Sequence, residues 1–114
     1  MCFKSEHSFE NRIVESFRML NKHPDRVPVI CERVKNSKVK DIDKKKYLII
    51  KDLTMGQFMY VIRKRLVLNP EESIFLFVNG KILSNTLLID YVYNFNKDKD
   101  GFLYISYSQE NTFG

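Results

Sequence analysis

The glycine at the end of the sequence is the residue with the clearest potential for chemistry. It closes the segment SQENTFG, in which Phe113 is the only aromatic or aliphatic residue after Tyr107. A glycine carbonyl has no neighbouring Cβ, so a thiolate or an amine can attack it without steric hindrance. The polar segment before it is expected to be a solvated arm. Two interpretations of Gly114 therefore stand: an ordinary frayed end, or a carboxylate presented for chemistry.

The histidines and cysteines do not form a catalytic or metal-binding pattern. The residues His7, His23, Cys2 and Cys31 lack the spacing of a nucleophile beside a base or of metal ligands. Cys31 lies in the apolar run VPVICERV and is predicted to be a buried strand residue. Two cysteines of this kind do not indicate a disulfide framework. The sequence therefore predicts a protein that is not an enzyme and that holds no metal or cofactor.

The composition predicts one soluble domain with a substantial core. The 114 residues are 44% hydrophobic and 29% charged, and a chain of this length buries about two-thirds of its unfolded surface. It has neither a membrane-length apolar run nor a signal-peptide core, so a cytosolic protein is expected. Most of the positive charge lies in residues 1–66, which carry 16 Lys/Arg and 8 Asp/Glu. This region is suited to an acidic partner, whether a peptide, a nucleic acid or an anionic membrane.

The first half of the chain predicts one helix followed by two strands. Residues 8–22 form an amphipathic helix with Ser8 as N-cap. Its apolar stripe consists of Phe9, Ile13, Phe17 and Leu20. Pro24 ends this helix, and the β-branched run after it predicts a strand over residues 27–33. The lysine-rich crossover KNSKVKDIDKKK leads to a second strand over residues 46–51.

The second half predicts a helix, a hairpin, a short helix and a final strand. A T-x-x-Q capping box at Thr54 begins the helix. Its apolar stripe consists of Phe58, Ile62 and Leu66. The segment SIFLFVNGKIL predicts a strand and a tight turn at its Asn-Gly pair. Residues 87–95 predict a short helix, and residues 102–107 predict the last strand. The inward side of the short helix is expected to be Leu88, Val92 and Phe95.

These elements together predict an α+β protein with the ubiquitin-like β-grasp fold. Without the N-terminal helix the order is ββαβαβ, a four-stranded mixed sheet wrapped on one helix. The predicted divisions are an N-terminal helical extension over residues 1–24, the β-grasp core over residues 25–107 and a flexible tail over residues 108–114. The last strand lies centrally in this topology, so the tail is expected to leave the sheet as a free arm.

Seven blocks of sequence point to one protein family. They are HPDRVPVICE, DKKKYLI, DLTMGQF, IRKR, IFLFVN, KDKDGFLYISYS and the terminal Phe-Gly. Over residues 7–114 their order and spacing resemble those of the autophagy-related ubiquitin-like modifiers, the GABARAP and light-chain family. The resemblance implies a ubiquitin-like core with two N-terminal helices packed on it. It also implies a protein that is conjugated and does not itself catalyse a reaction.

The resemblance implies attachment to a lipid through Gly114. An activating enzyme would adenylate its carboxylate, a conjugating enzyme would receive it as a thioester, and phosphatidylethanolamine would take it as an amide. A deconjugating cysteine protease would act at the same residue. Many family members carry residues beyond this glycine that a protease removes, and this sequence shows none. The free protein is expected to be a cytoplasmic monomer, and the lipidated form is expected on autophagosomal or other vesicle membranes, where it acts in autophagosome formation.

The resemblance also implies recognition of aromatic-x-x-aliphatic motifs, often preceded by acids, in cargo receptors and adaptors. An edge strand would pair with the peptide backbone, while two pockets would take alternate side chains. By resemblance, the aromatic pocket consists of Glu15, Met19, Pro28, Ile30, Lys46, Leu48 and Phe102. The aliphatic pocket consists of Tyr47, Ile49, Leu53, Phe58, Val61, Ile62 and Arg65, with Arg26 nearby. The acids would meet Lys44, Lys45, Lys46 and Arg65.

Two segments need separate interpretation. Ile50 stands where the family usually has proline, so this sequence lacks a ring that shapes the aliphatic pocket. The segment IFLFVN matches a region that binds helical ubiquitin-interacting-type motifs in some family members. Its alternate residues Ile74, Leu76 and Val78 are equally typical of strand core.

Two other functions stand beside lipid conjugation. One is a noncovalent ubiquitin-like adaptor, which would keep the fold and tolerate any small residue at position 114. The other is a basic module that binds tubulin, anionic lipid or RNA through KVKDIDKKK and RKR. Asp41 and Asp43 interrupt the first of these runs, and aromatic residues do not alternate with basic ones as they do in RNA-recognition strands. A nucleic-acid partner is therefore not expected.

Overall fold

Four helices and five strands make up the described part of the chain, residues 2–110 of a computed structural model. The helices are α1 (Phe3–Glu6), α2 (Phe9–Lys22), α3 (Met55–Leu66) and α4 (Ile89–Asn96). The strands are β1 (Arg26–Arg33), β2 (Lys46–Ile50), β3 (Phe75–Val78), β4 (Lys81–Ile82) and β5 (Leu103–Ser108). The elements predicted from the sequence are confirmed, with ends that differ by one or two residues.

One mixed sheet contains the five strands in the order β2-β1-β5-β3-β4. β5 lies in the middle, parallel to β1 and antiparallel to β3, which confirms the predicted ubiquitin-like β-grasp. The sheet has five strands where four were predicted, because the turn at Asn79 and Gly80 brings Lys81–Ile82 back against β3. Both turn residues have positive φ, 51° and 78°, as an Asn-Gly hairpin turn requires.

The sheet separates a large core from a small one. On one face, alternate strand residues such as Val29 and Tyr107 pack with the apolar residues of α3 and α4. On the other face, Ile30 and Phe102 pack with Phe3 of α1, and the rings of Phe3 and Phe102 meet edge to face at 5.3 Å. The N-terminal helices therefore cover the face of the sheet that α3 and α4 leave open.

The two long helices begin at the predicted caps. Ser8 Oγ accepts a hydrogen bond from Asn11 N at 3.1 Å. Thr54 Oγ1 accepts from Gln57 N at 3.1 Å, and Gln57 Oε1 accepts from Thr54 N at 2.8 Å, which completes the capping box. These local bonds fix where α2 and α3 start.

α2 turns a different side to the sheet from the one predicted. Its buried residue is Ser16, whose hydroxyl donates to the Asp100 carbonyl at 2.6 Å. Phe17, which was expected inside, is 61% exposed. The reason is the close approach of the helix to the turn at residues 97–101. A Cβ placed on Gly101 would lie 2.4 Å from Ser16 Oγ, so at this contact point only a small residue such as Ser16 fits against the turn.

α4 also differs from the prediction in its inward side. Val92 is buried as expected, whereas Leu88 is exposed and Phe95 is 73% exposed. The inward side is rotated from the predicted one, because i, i+3, i+4 spacing counted from Ile89 gives a different stripe from the one counted from Leu88. The buried residues of α4 are Ile89, Val92 and Tyr93. Phe95 packs instead on Tyr91 at the surface, with ring centroids 4.7 Å apart.

The lysine-rich crossover between β1 and β2 is anchored to the core. Val39 and Ile42 are buried in the large cluster. Tyr107 Oη donates a hydrogen bond to the Lys40 carbonyl at 2.8 Å. This anchoring holds the crossover against β5 and fixes where β2 begins.

Candidate functional site

β2 lies at one edge of the sheet and has a free side. Within residues 2–110, this strand pairs with β1 alone, from Arg26↔Ile50 to Ile30↔Lys46. An edge strand presents backbone N–H and C=O groups to which an extended peptide can add. Successive side chains of a strand point to opposite faces, so Leu48 lies on the side of α2 and Ile49 on the side of α3. A peptide on this edge would have apolar surface above and below it.

The residues of the predicted aromatic pocket lie together on the α2 side of the sheet. They come from α2 (Glu15, Met19), β1 (Pro28, Ile30), β2 (Lys46, Leu48) and the position directly before β5 (Phe102). Ile30 and Phe102 are fully buried in the small core, against which Met19 packs. Leu48 is half-buried, and Lys46 forms an ion pair with Glu15 across the mouth. The buried pair can serve as a floor, and the other side chains as walls.

The residues of the predicted aliphatic pocket lie on the α3 side. They come from β2 (Tyr47, Ile49), the loop after it (Leu53) and α3 (Phe58, Val61, Ile62, Arg65). Tyr47 and Phe58 meet edge to face at 5.6 Å, and Phe58 and Ile62 are fully buried. The half-buried residues are Ile49, Leu53 and Val61. Arg26 begins β1 opposite Ile50, beside the same end of β2.

The cations around this edge have partners of their own. Arg65 donates to both carboxylate oxygens of Asp43, at 3.2 and 3.1 Å, and these hydrogen bonds lower the pKa of Asp43. Lys45 Nζ lies 3.8 Å from Glu32 Oε2. Lys44 Nζ lies 5.1 Å from the centre of the Tyr47 ring. An acidic peptide would therefore exchange these contacts for its own, which favours peptides that carry several acids.

The segment IFLFVN lies apart from this site. β3 is separated from β2 by β5 and β1, so this segment does not lie beside the β2 edge. Ile74, Leu76 and Val78 belong to the large core, which confirms the interpretation of this segment as strand core. Its alternate residue Phe75 is half-buried on the other face.

A buried carboxylate that holds α2 in place was not predicted. The side chain of Asp100 is 0% exposed and accepts from Arg12 Nη1 at 2.7 Å and from Phe102 N at 2.9 Å. It also accepts from Tyr104 Oη, and burial together with this bond raises the pKa of Tyr104. The charged segment KDKDG predicts an exposed turn, and Gly101 after Asp100 is the one local sign of close packing. Asp100 positions α2, which supplies Glu15 and Met19 to the predicted aromatic pocket.

The two thiols are expected to differ strongly in reactivity. Burial raises the pKa of Cys31, whereas the hydrogen bond with Ser5 lowers the pKa of the exposed Cys2. Iodoacetamide should label Cys2 readily and Cys31 at least about a hundredfold more slowly, since Cys31 reacts only when the core opens. Ser5→Ala should raise the pKa of Cys2 and shift its pH–rate curve to higher pH. Equal labelling rates in the native protein, read by peptide mass spectrometry, would contradict the burial of Cys31.

The described residues contain neither a cluster of metal ligands nor a membrane-spanning helix. No three His, Cys, Asp or Glu side chains within residues 2–110 are grouped where they would hold a metal ion. In the same part of the chain, none of the helices has the length and apolar character of a membrane span. Gly114 lies outside the described residues.

The sequence match decides the family. A model of the family described as "Autophagy protein Atg8 ubiquitin like" matches residues 11–114, nearly the whole chain. The chain belongs to the Atg8 family. It is thus an autophagy-related ubiquitin-like protein, in agreement with the resemblance drawn from its seven sequence blocks.

Atg8 proteins of other organisms match along almost their full length. "Autophagy-related protein 8" of Mycosarcoma maydis is 55% identical over 113 residues, which cover 99% of this chain and 96% of the relative. The protein of the same name from Vanderwaltozyma polyspora is 55% identical over 112 residues, which cover 98% and 95%. This chain therefore spans the same unit as these Atg8 relatives.

Solved Atg8 structures share the fold. Trypanosoma brucei ATG8 superimposes with a TM-score of 0.91 at 43% identity, over 98% of this chain and 97% of that one. Plasmodium falciparum Atg8, solved in complex with a P. falciparum Atg3 peptide, superimposes with a TM-score of 0.89 at 35% identity, over 96% and 97%. The ubiquitin-like fold with N-terminal helices is therefore that of Atg8 proteins.

Proposed function

We propose that this protein is a modifier whose Gly114 carboxyl group becomes joined to phosphatidylethanolamine on autophagic membranes. Membership of the Atg8 family and the glycine at position 114 support this proposal. In this proposal the residues after β5, which ends at Ser108, serve as the conjugation tail. The protein is then the substrate of the conjugation reaction and not its catalyst.

The proposed chemistry places three successive partners at Gly114. An activating enzyme joins the carboxylate to the AMP part of ATP and releases pyrophosphate. A cysteine thiolate then displaces the AMP, and the resulting thioester is passed to a cysteine of a conjugating enzyme. The lipid amine then attacks the thioester carbonyl, the thiolate leaves, the amine loses a proton and an amide remains. Each step needs access to one carbonyl from outside the fold, which glycine provides. A deconjugating cysteine protease reverses the attachment by hydrolysing that amide.

Lipid attachment determines where the protein resides. Each buried methylene of an acyl chain contributes about 0.8 kcal/mol, so two chains hold the conjugate on the membrane. The free protein is cytoplasmic, and the conjugate lies on autophagosomal or other vesicle membranes. Many copies on one membrane turn weak individual contacts into firm capture of cargo receptors through avidity.

We also propose that β2 and its surroundings bind aromatic-x-x-aliphatic motifs. The observation that carries this proposal is an edge strand with an apolar cluster on each face, the Leu48 side toward α2 and the Ile49 side toward α3. In an extended peptide, side chains three positions apart point to opposite faces, so the aromatic residue would enter one cluster and the aliphatic residue the other. The Atg3 peptide in the P. falciparum Atg8 structure supports peptide binding by this fold. Ile50, which is exposed at the end of β2, would help to set which aliphatic residue is preferred.

Leu48→Asp is expected to weaken motif binding by about tenfold or more. The variant places a charge in an apolar pocket wall, where loss of one buried side chain contributes on the order of 1.5–3 kcal/mol. Fluorescence anisotropy with a labelled peptide that contains three glutamates followed by Trp-Glu-Glu-Leu measures the effect.

The matched control is Ile82→Asp, since Ile82 is exposed on β4 at the opposite edge of the sheet. It should bind the peptide like the wild type. Motif binding should also persist as salt is raised, because its anchors are apolar. If Leu48→Asp leaves peptide binding unchanged and added salt abolishes that binding, the basic module is favoured instead. RNA, tubulin and anionic vesicles would then be the ligands to compare.

A further inference from the structure

A second groove lies between α2 and the turn that follows α4, away from β2. Its apolar walls are Ile13, Phe17 and Leu20 of α2 and Tyr93 of α4, and the 97–101 turn closes one end. The cavity measures about 450 Å³. Small-ligand sites in proteins span about 300–1,000 Å³, so this groove has room for one or two large side chains.

The core explains only part of the apolar stripe of α2: Leu20 packs against the large core, whereas Phe17 does not. Phe17 is 61% exposed although it stands in the middle of the stripe. Glu15 and Met19 belong to the predicted aromatic pocket beside β2. At 100° per residue, they lie on roughly the opposite side of the helix from the apolar stripe. α2 therefore presents two separate surfaces, with its buried Ser16 between them.

The rim of the groove carries a positive charge that the structure does not neutralise. The carboxylates nearby are engaged, because Asp98 pairs with Lys4 at 2.6 Å and Asp100 pairs with Arg12 at 2.7 Å. Lys97 Nζ lies 5.3 Å from the centre of the Tyr93 ring. Among the ion pairs formed within residues 2–110, none includes Lys97 or Lys99. An occupant is thus expected to be apolar at its centre and acidic at its margin.

We propose that this α2–α4 groove binds a short peptide segment of a partner protein, with a large apolar side chain in the cavity and an acidic residue against Lys97 and Lys99. The shape favours a peptide over a membrane surface. Membrane-binding helices present a convex apolar face flanked by many cations, whereas here the apolar walls are concave and two lysines stand at the rim. The proposal does not depend on lipid conjugation or on the β2 site, and one partner could occupy both surfaces at once.

The test begins with a phage-displayed library of random 12-residue peptides selected on the full chain carrying Leu48→Asp, so that binders at β2 are disfavoured. Selected peptides are synthesised, and their affinities for the wild type and for variants are measured by fluorescence anisotropy. We expect peptides in which a large apolar residue is flanked by Asp or Glu. Phe17→Asp and Lys97→Glu should each weaken their binding at least about tenfold, while Leu48→Asp in the full chain should leave it unchanged.

Two control variants are matched to the groove residues. Val14→Asp changes an apolar α2 residue that is 54% exposed and lies outside the groove. Lys64→Glu removes a lysine that, like Lys97, lies over a tyrosine ring, at 5.1 Å from Tyr60. Both should bind the peptides like the wild type, and all variants should keep the wild-type melting temperature within a few degrees.

Three outcomes would overturn the proposal. Selected peptides that bind equally to Phe17→Asp would place their site elsewhere. Selected peptides that lack acidic residues and bind Lys97→Glu as tightly as the wild type would contradict the proposed charge complementarity. If no peptide is enriched and vesicles of phosphatidylserine and phosphatidylcholine bind in a Phe17-dependent manner, the surface contacts membrane and not a peptide.

Discussion

Gly114→Ala is expected to abolish attachment of the protein to phosphatidylethanolamine. The methyl group would stand beside the carbonyl at which adenylate, thioester and amide form in turn, and it would hinder each attack. The purified chain is incubated with activating and conjugating enzymes of an Atg8 lipidation system, ATP and phosphatidylethanolamine liposomes. Intact mass spectrometry should then show a gain of one phospholipid in the wild type and no gain in the variant.

The control is Thr112→Ala, which changes the tail and keeps the glycine, and it should gain the same mass as the wild type. Gly114→Ala should still bind the Trp-Glu-Glu-Leu peptide, since β2 lies in the folded domain. A wild-type chain that gains no mass, with enzymes shown to be active on another Atg8 protein, would leave a noncovalent adaptor as the remaining function. Conjugation and motif recognition are thus tested separately.

Asp100→Ala is expected to lower the free energy of unfolding by roughly 3 kcal/mol. Its buried carboxylate accepts from Phe102 N and Tyr104 Oη, and a buried donor left without a partner costs about 1–3 kcal/mol. The variant also leaves Arg12 without its partner, at a site where the arginine side chain is 11% exposed. Thermal and urea unfolding followed by circular dichroism measure the loss.

The same variant should weaken motif binding, although Asp100 does not belong to either predicted pocket. The ion pair between Arg12 and Asp100 ties α2 to the turn before β5, and α2 supplies Glu15 and Met19 to the predicted aromatic pocket. The control is Asp41→Ala, because Asp41 is exposed and its pair with Arg33 lies at the surface, where ion pairs contribute little. An Asp100→Ala protein as stable as the wild type would mean that α2 is held in place by other contacts.

The sequence predicted most accurately those features that local chemistry determines. The capping box at Thr54 and the turn at Asn79 and Gly80 depend on neighbouring residues, and both formed as expected. The orientation of a helix on the sheet depends on what it meets. Because residues 87–89 are all apolar, the sequence was compatible with two inward sides for α4, and the folded helix buries the one that includes Ile89.

The candidate site was predicted by family resemblance more than by physical pattern. Periodicity could not distinguish a pocket wall such as Leu48 from a core residue such as Leu66, since both are apolar and regularly spaced. Nor could it foresee that Asp100 would be buried, because its partners Arg12 and Tyr104 become neighbours only after folding. The exposed Phe17 was missed for the same reason: the close contact of Ser16 with Gly101, which exists only in the folded chain, turns Ser16 inward in its place.

The central position of β5 also determines how the domain would bear mechanical load. A tension applied at the C-terminal end of β5 runs along the strand axis, so the hydrogen bonds to β1 and β3 are sheared together and not peeled apart one at a time. β1 passes that load directly to β2, the edge proposed to hold a cargo receptor. A tether at one end and a cargo at the other would thus be connected through three adjacent strands, without passing through the N-terminal helices.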